Sequence, residues 1–267
     1  MRHLLLTFDL EEFVFPYENN INFSKKKAYE ISEYGLKKIM VFLEKWKIKS
    51  TFFTTFEFAK RFPKAIEYII SENHELAFHG KEHKDYSKIT FNKVEIELKI
   101  CKVSLEKKFN VKINGFRAPR LRQVDYKILE NTSFYYDTSI HPTIIPLNKK
   151  SFSKKIIYRT GKIIEIPVSV NSLRLPVSWI FFRLLPLNYS ISSTKDILNH
   201  SEYIMLYFHP WDFFDLEKIK FNNVYWNIYN RNSGEKLLNK LDNYMKFIDK
   251  EKLKKSTIIS YLKSKTI

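Results

Sequence analysis

The feature that most constrains this chain is an alternation of short apolar runs with longer stretches of helical period. Residues 3–8 (HLLLTF), 50–55 (STFFTT), 74–78 (HELAF) and 203–208 (YIMLYF) have the length and composition of buried strands. After the first run, Ile31, Leu36, Ile39, Met40, Leu43 and Trp46 recur close to helical period over residues 26–47. Residues 56–71 continue the helical pattern with an interruption at Pro63. Thr90 opens a long helix with Val94, Leu98, Cys101 and Leu105 on one face, and residues 123–131 predict another. Residues 163–170 are strand-like, and 173–189 are apolar but broken by Pro176, Arg183 and Pro186. A last helix, capped at Asn232 or Ser233, places Leu237, Leu238, Leu241, Met245 and Ile248 on one side. Strands alternating with helices imply parallel βαβ units, because successive parallel strands need a crossover between them. With no internal repeat and no linker, residues 1–267 are expected to form a single α/β domain.

In such folds the C-terminal ends of the strands carry the chemistry, and here the strand-like runs lead into polar residues. Residues 3–8 run into Asp9-Leu10-Glu11-Glu12, and 74–78 deliver the chain to His79-Gly80-Lys81-Glu82-His83. Two histidines four apart face one point if the segment turns helically, and imidazole is the commonest transition-metal ligand. Further on stand Gly115-Phe116-Arg117-Ala118-Pro119-Arg120, Asp137-Thr138-Ser139 and His209-Pro210-Trp211-Asp212. If the strands are parallel, all of these tips share one rim. A carboxylate with two imidazoles leaves positions open on a metal for water and substrate. A second carboxylate can serve as general base, and an adjacent arginine keeps it ionised. A separate histidine can protonate a leaving amine when a carboxylate such as Asp137 raises its pKa.

Composition excludes several alternatives. With only five glycines, the chain contains neither phosphate-cradling motif, GxGxxG or GxxxxGK[ST]. The formal net charge of +17 favours anionic partners, but the lysines are scattered, with no arginine stripe and no nucleic-acid-reading motif. The charge therefore reads as compositional, with no specific nucleic-acid partner and an anionic membrane surface as the next option. The single Cys101 excludes an intramolecular disulfide and falls on an apolar helix face, as a core residue. His141, beside Pro142, reads as a structural turn residue, and His74 and His200 have no partner pattern. Met1-Arg2-His3 leads into too short an apolar run for a secretory leader, and no stretch has the roughly 18 apolar residues of a spanning helix. The expected location is the cytoplasm, including the inner face of the membrane.

The ordered motifs Thr7-Phe8-Asp9-Leu10-Glu11-Glu12, His79 to His83, Arg117-Ala118-Pro119, Asp137-Thr138-Ser139 and His209 resemble the polysaccharide deacetylase (NodB-like) family. The likeness is closest to the branch with a DxED-type first motif and HPW[ED] as the last. The resemblance implies a distorted (β/α)7-type barrel of the glycoside hydrolase/deacetylase kind that removes an N-acyl group from an amino sugar. It assigns Asp9 as base, His209 as acid, Arg117 as brace of the base and Asp137 as orienter of the acid. Glu11, His79 and His83 become ligands of one divalent metal, zinc first, although such a set also accepts cobalt, manganese, nickel or iron. The oxyanion would be stabilised by the metal and a backbone N–H near Arg120. Pro119, Arg120, Trp211 and Arg183 are the candidate substrate contacts. Two alternatives stay open among these: Trp211 stacks on a sugar or packs behind His209, and Arg183 binds a substrate anion or bridges to a core acid.

The sequence departs from the branch in three places. Glu12 stands where Asp is usual, so Glu11 and Glu12 could exchange roles. Arg120 replaces a small or aromatic residue, and Val177-Ser178-Trp179-Ile180 replaces a Gly-rich stretch that shapes the substrate cleft. The expected substrate is an N-acylated sugar of cell-surface glycan, capsule or lipopolysaccharide assembly, nucleotide- or lipid-phosphate-linked. The alternatives are hydrolysis of a cyclic ureide, or a non-catalytic carbohydrate-binding protein on the same barrel.

Overall fold

The computed structural model describes residues 1–145 and 152–265. The charged loop expected at residues 149–155 therefore lies partly outside the described residues. Nine strands form one sheet: β1 (His3–Leu10), β2 (Thr51–Thr54), β3 (Glu75–Phe78), β4 (Gly115–Phe116), β5 (Tyr136–Asp137), β6 (Tyr158–Thr160), β7 (Ile163–Glu165), β8 (Tyr203–Phe208) and β9 (Lys254–Lys255). Their order is β6-β7-β5-β4-β3-β2-β1-β8, with β9 paired to β1. All neighbours pair in parallel except β6 with β7, so the expected βαβ logic holds. The edge strands β6 and β8 do not pair, and the sheet curls as an incompletely closed α/β barrel.

Strands β1, β2, β3 and β8 are buried along their whole length, which explains why they read as continuous apolar runs rather than alternating ones. Leu4, Leu6, Phe8, Phe52, Leu76 and Phe208 join helix residues such as Leu36, Ile39 and Leu43 in the larger apolar cluster, and Leu5, Phe53, Ala77, Met205 and Tyr207 form another. Several expected bounds shift. The strand expected at 163–170 ends at Glu165, with only an isolated bridge between Val170 and Pro176. The residues between Pro176 and Tyr189 hold the helix Trp179–Leu184 and the start of Leu187–Leu198. The helix Glu235–Lys250 is capped by Gly234 at φ 61° rather than by Asn232 or Ser233, a backbone conformation that favours glycine.

One close approach positions the last strand tip. A Cβ on Gly35, in the helix Lys25–Lys45, would sit 1.7 Å from the Pro210 carbonyl oxygen. The missing side chain lets this helix support the turn Pro210–Phe213 directly behind His209.

Candidate active site

The parallel register brings the C-terminal ends of β1, β3, β4 and β8 to one rim, where a cleft of about 300 Å³ opens. Asp9, Glu11, His79, His83, Arg120, His209 and Trp211 line it. A roomier surface pocket of about 420 Å³, lined by Lys25, Tyr29, Glu57, Lys60 and Arg61, contains none of the strand-tip residues.

The first wall comes from β1 and the segment after β3. Residues 79–83 are not the helical turn expected of an HxxxH spacing but an irregular bend. Gly80 makes it at φ 82°, with its missing Cβ leaving room for the Tyr86 hydroxyl, which accepts the Lys81 N–H at 2.8 Å and donates to Glu97 at 2.9 Å. Both imidazoles nevertheless converge on Glu11. His79 Nε2 lies 3.2 Å from Glu11 Oε2, and His83 Nε2 lies 3.5 Å from Glu11 Oε1. Glu11 is fully buried, and neither of its carboxylate oxygens has a hydrogen-bond partner. Burial pushes the Glu11 carboxyl well up, and burial also lowers both histidines, His83 strongly with help from the charge of His79. Of the two neighbours it is Glu11 that faces the histidines, whereas Glu12 meets Tyr29 and does not line the cleft.

Among the described residues, no group of three or more His, Cys, Asp or Glu side chains stands in an arrangement that could hold a metal ion as it is. The donor set still fits one. Ligands bonded at about 2.1 Å in tetrahedral geometry stand roughly 3.4 Å from each other, close to the two spacings at Glu11. His79 Nδ1 is 2.7 Å from the Arg117 carbonyl, which takes an N–H there and leaves Nε2 as an acceptor. The two Glu11 oxygens, orphaned among the described residues, and His79 Nε2 are acceptors that face one another, and a cation is a partner they can share.

Asp9 sits beside this group, its Oδ2 4.0 Å from His79 Nε2. Arg117 is fully buried, stacks over Phe53 at 4.2 Å, and donates to Asp9 Oδ1 at 2.7 Å and to Thr7 Oγ1 at 3.0 Å. Burial raises the Asp9 carboxyl, but the charge of Arg117, with those of His79 and His209, holds it below its ordinary value.

The second wall centres on His209, and here one assignment is corrected. The carboxylate at His209 is Asp212, not Asp137: Asp212 Oδ2 accepts the His209 backbone N–H at 2.8 Å and lies 3.3 Å from Nδ1. Asp137 turns away because β5 pairs with β7 in a register that sets it opposite Glu165. There it accepts from Ser139 Oγ at 2.6 Å, and Ser139 Oγ accepts the Ala118 N–H at 2.8 Å. Burial, then the Asp137 charge, pushes Glu165 well up. Asp137 thus braces the turn after Arg117.

Both open alternatives on this wall are decided by burial. Arg183 is 1% exposed and bridges to a core acid, with Nη1 3.3 Å from Asp212 Oδ1 and Nη2 donating to the Tyr229 carbonyl at 2.7 Å. Trp211 stacks on His209 with ring centroids 4.3 Å apart and planes 10° apart, and donates to the Tyr229 hydroxyl at 3.1 Å, so it packs behind the histidine. Pro119 is buried and does not line the cleft, whereas Arg120 does.

Two further cleft residues were not singled out as contacts from sequence. Glu18, in the one-turn helix Phe15–Glu18, reaches His83 Nδ1 at 3.6 Å and Arg120 Nε at 3.2 Å. No spacing pattern links it to either partner. Trp179 stands edge-on to His209 at 4.9 Å, has φ 51°, and has no hydrogen-bond partner for its buried Nε1–H. Its signal was the departure at residues 177–180.

Comparison with known proteins agrees with this architecture. Puue allantoinase superposes with a TM-score of 0.65 at 13% identity, over 96% of this chain and 87% of that one. A peptidoglycan N-acetylglucosamine deacetylase gives 0.55 at 13% identity, over 96% and 86%. A CE4 family pseudoenzyme from Bacillus anthracis gives 0.56 at 13% identity, over 97% of this chain and 64% of that longer one. These likenesses establish the fold class, the (β/α)7-type barrel of the CE4 deacetylases. The polysaccharide deacetylase family model matches residues 3–137, and the chain belongs to that family. Residues 138–255 match a domain of unknown function, DUF3473, and no curated protein matches the sequence.

Proposed function

We propose that this protein is a metal-dependent hydrolase that removes an N-acyl group, acetyl in the simplest case, from an amino sugar of cell-surface glycan, capsule or lipopolysaccharide assembly. The observation that carries the reading is the pair of orphaned Glu11 oxygens facing two imidazole nitrogens, across one cleft from His209. Glu11, His79 and His83 would hold one divalent ion, zinc by preference. When bound, the ion supplies Lewis-acid polarisation of the scissile carbonyl and acidifies water.

The remaining work falls to the chain itself. Asp9, kept ionised by Arg117, takes the proton of the attacking water. His209 gives a proton to the departing sugar nitrogen from Nε2, while Asp212 holds the Nδ1 side and Arg183 holds Asp212 in place. The backbone N–H at Arg120 is the candidate donor to the oxyanion.

Acetate release from N-acetylhexosamine substrates with added Zn²⁺ or Co²⁺ tests the reading. We expect turnover by the native protein and its loss in Asp9→Asn and His79→Ala; equal rates in all three would refute it. A second reading, hydrolysis of a cyclic ureide, draws on the fold likeness to the allantoinase. Allantoin in the same substrate panel separates the two.

A further inference from the structure

Arg120 occupies an unusual backbone position. It and the next residue, Leu121, both lie in the left-handed region, at φ 57° and φ 51°. Non-glycine residues in that region are strained and persist where surrounding contacts hold them, often at ligand clamps. One such contact here is the ion pair with Glu18, whose Oε1 lies 3.2 Å from Arg120 Nε. That contact lies on one edge of the guanidinium. Arg120 Nη1 and Nη2 make no hydrogen bond to any described residue, and the side chain stays 40% exposed while lining the cleft. Arg122, exposed at the same mouth, also lines the cleft and makes no ion pair with a described residue, although Asp85 feels its charge.

The charges around this mouth do not cancel within the protein. Glu18 faces one edge of Arg120 and Asp9 is taken by Arg117, while Arg122 has no ion-pair partner among the described residues and feels only the more distant Asp85. A planar arginine fork pinned by Nε presents its outer N–H groups for bidentate recognition of an anion. Two arginines on one mouth match a phosphoryl group, which can carry two negative charges, better than a single carboxylate. Resting on the deacetylase reading, we propose that Arg120 and Arg122 form an anion clamp, and that the natural acyl-amino sugar carries a phosphoryl group within reach of it. Glu18 is the positioning residue: it sets the fork of Arg120 and touches the outer face of His83 with the same oxygen.

The test is direct binding by calorimetry in Asp9→Asn protein, so that no turnover intervenes. The probes are methyl N-acetylglucosaminide, N-acetylglucosamine 1-phosphate and a nucleoside diphosphate N-acetylglucosamine. The phosphorylated probes are expected to bind at least about tenfold more tightly than the neutral one, with the preference collapsing toward unity on adding Arg120→Gln. Arg122→Gln, at an exposed position, should reduce the preference less, and Arg120→Lys should restore only part of it. Tighter binding of the diphosphate than of the monophosphate identifies a diphosphate-linked donor; equal binding identifies a sugar phosphate. Equal affinity for neutral and phosphorylated probes, or an unchanged preference in both Gln variants, overturns the clamp. Failure of acetate release by native protein would instead overturn the deacetylase reading, and the binding result would still decide the clamp.

Discussion

The two walls of the cleft handle buried polarity in opposite ways. On the first, a buried glutamate whose two oxygens make no hydrogen bond among the described residues faces two burial-lowered imidazoles. On the second, Asp212 lies between His209 and Arg183, and Arg183 reaches the Tyr229 carbonyl, so unlike groups face one another even though Asp212 Oδ1 and Arg183 Nη1 and Nε make no hydrogen bond among the described residues. The first wall comes from the segment matched by the deacetylase family model, the second from the segment matched by the domain of unknown function. Acceptors that meet only acceptors call for a cation from outside, whereas donors and acceptors in alternation can be satisfied within the fold. On the proposed function, one wall binds and the other holds a proton donor still.

Several experiments would break or sharpen that contrast. The largest effect is expected on the first wall: Glu11→Gln, His79→Ala and His83→Ala should each lose bound metal and at least about a thousandfold in activity. Metal analysis of the purified variants checks this, with Glu12→Gln retaining metal; the reverse pattern at Glu11 and Glu12 would invert the assignment. Next comes His209→Ala, with a loss of about 10²–10⁴ in kcat and unchanged metal content, as expected of a lost general acid. A metal-depleted His209→Ala protein would mean that the walls are not separable.

Arg183→Met probes how far the second wall depends on internal pairing. Leaving buried Asp212 without its arginine should destabilise the fold by about 3–5 kcal/mol, read from the urea midpoint. Asp212→Asn should distort the pH profile of kcat, and Asp137→Asn should leave its shape intact, because Asp137 acts on the turn at Ala118. A distorted profile in Asp137→Asn alone would restore the original assignment.

The smallest effect lies at the opposite end of the barrel. His74 accepts the Ser50 N–H at 3.0 Å, and burial, then the Lys49 charge, pulls its pKa down to about 4. His3 is pulled to about 4 as well, by burial and then Lys254. Both groups bind a proton more readily unfolded than folded. Their contribution is therefore present above pH 6.5 and is lost as pH falls through about 4. Each adds up to one proton to the slope of stability against pH in that window, and His74→Gln should flatten it.

The sequence alone determined the alternation of strands and helices, the rim on which the polar tips gather, and the residue types that suit hydrolytic chemistry. Those properties are local: strands buried on both faces are apolar throughout, and their ends are where polar residues begin. Only the tertiary structure decided between near neighbours. Glu11 and Glu12 differ by one position, and which of them faces the histidines depends on how the chain leaves β1, which β2 separates from β3. Asp137 ends one strand and Asp212 follows another; the register of β5 against β7 sets the first opposite Glu165, while the turn after β8 folds the second onto His209. Glu18 was not legible at all, because its partners stand far away in sequence and meet it only when the rim closes.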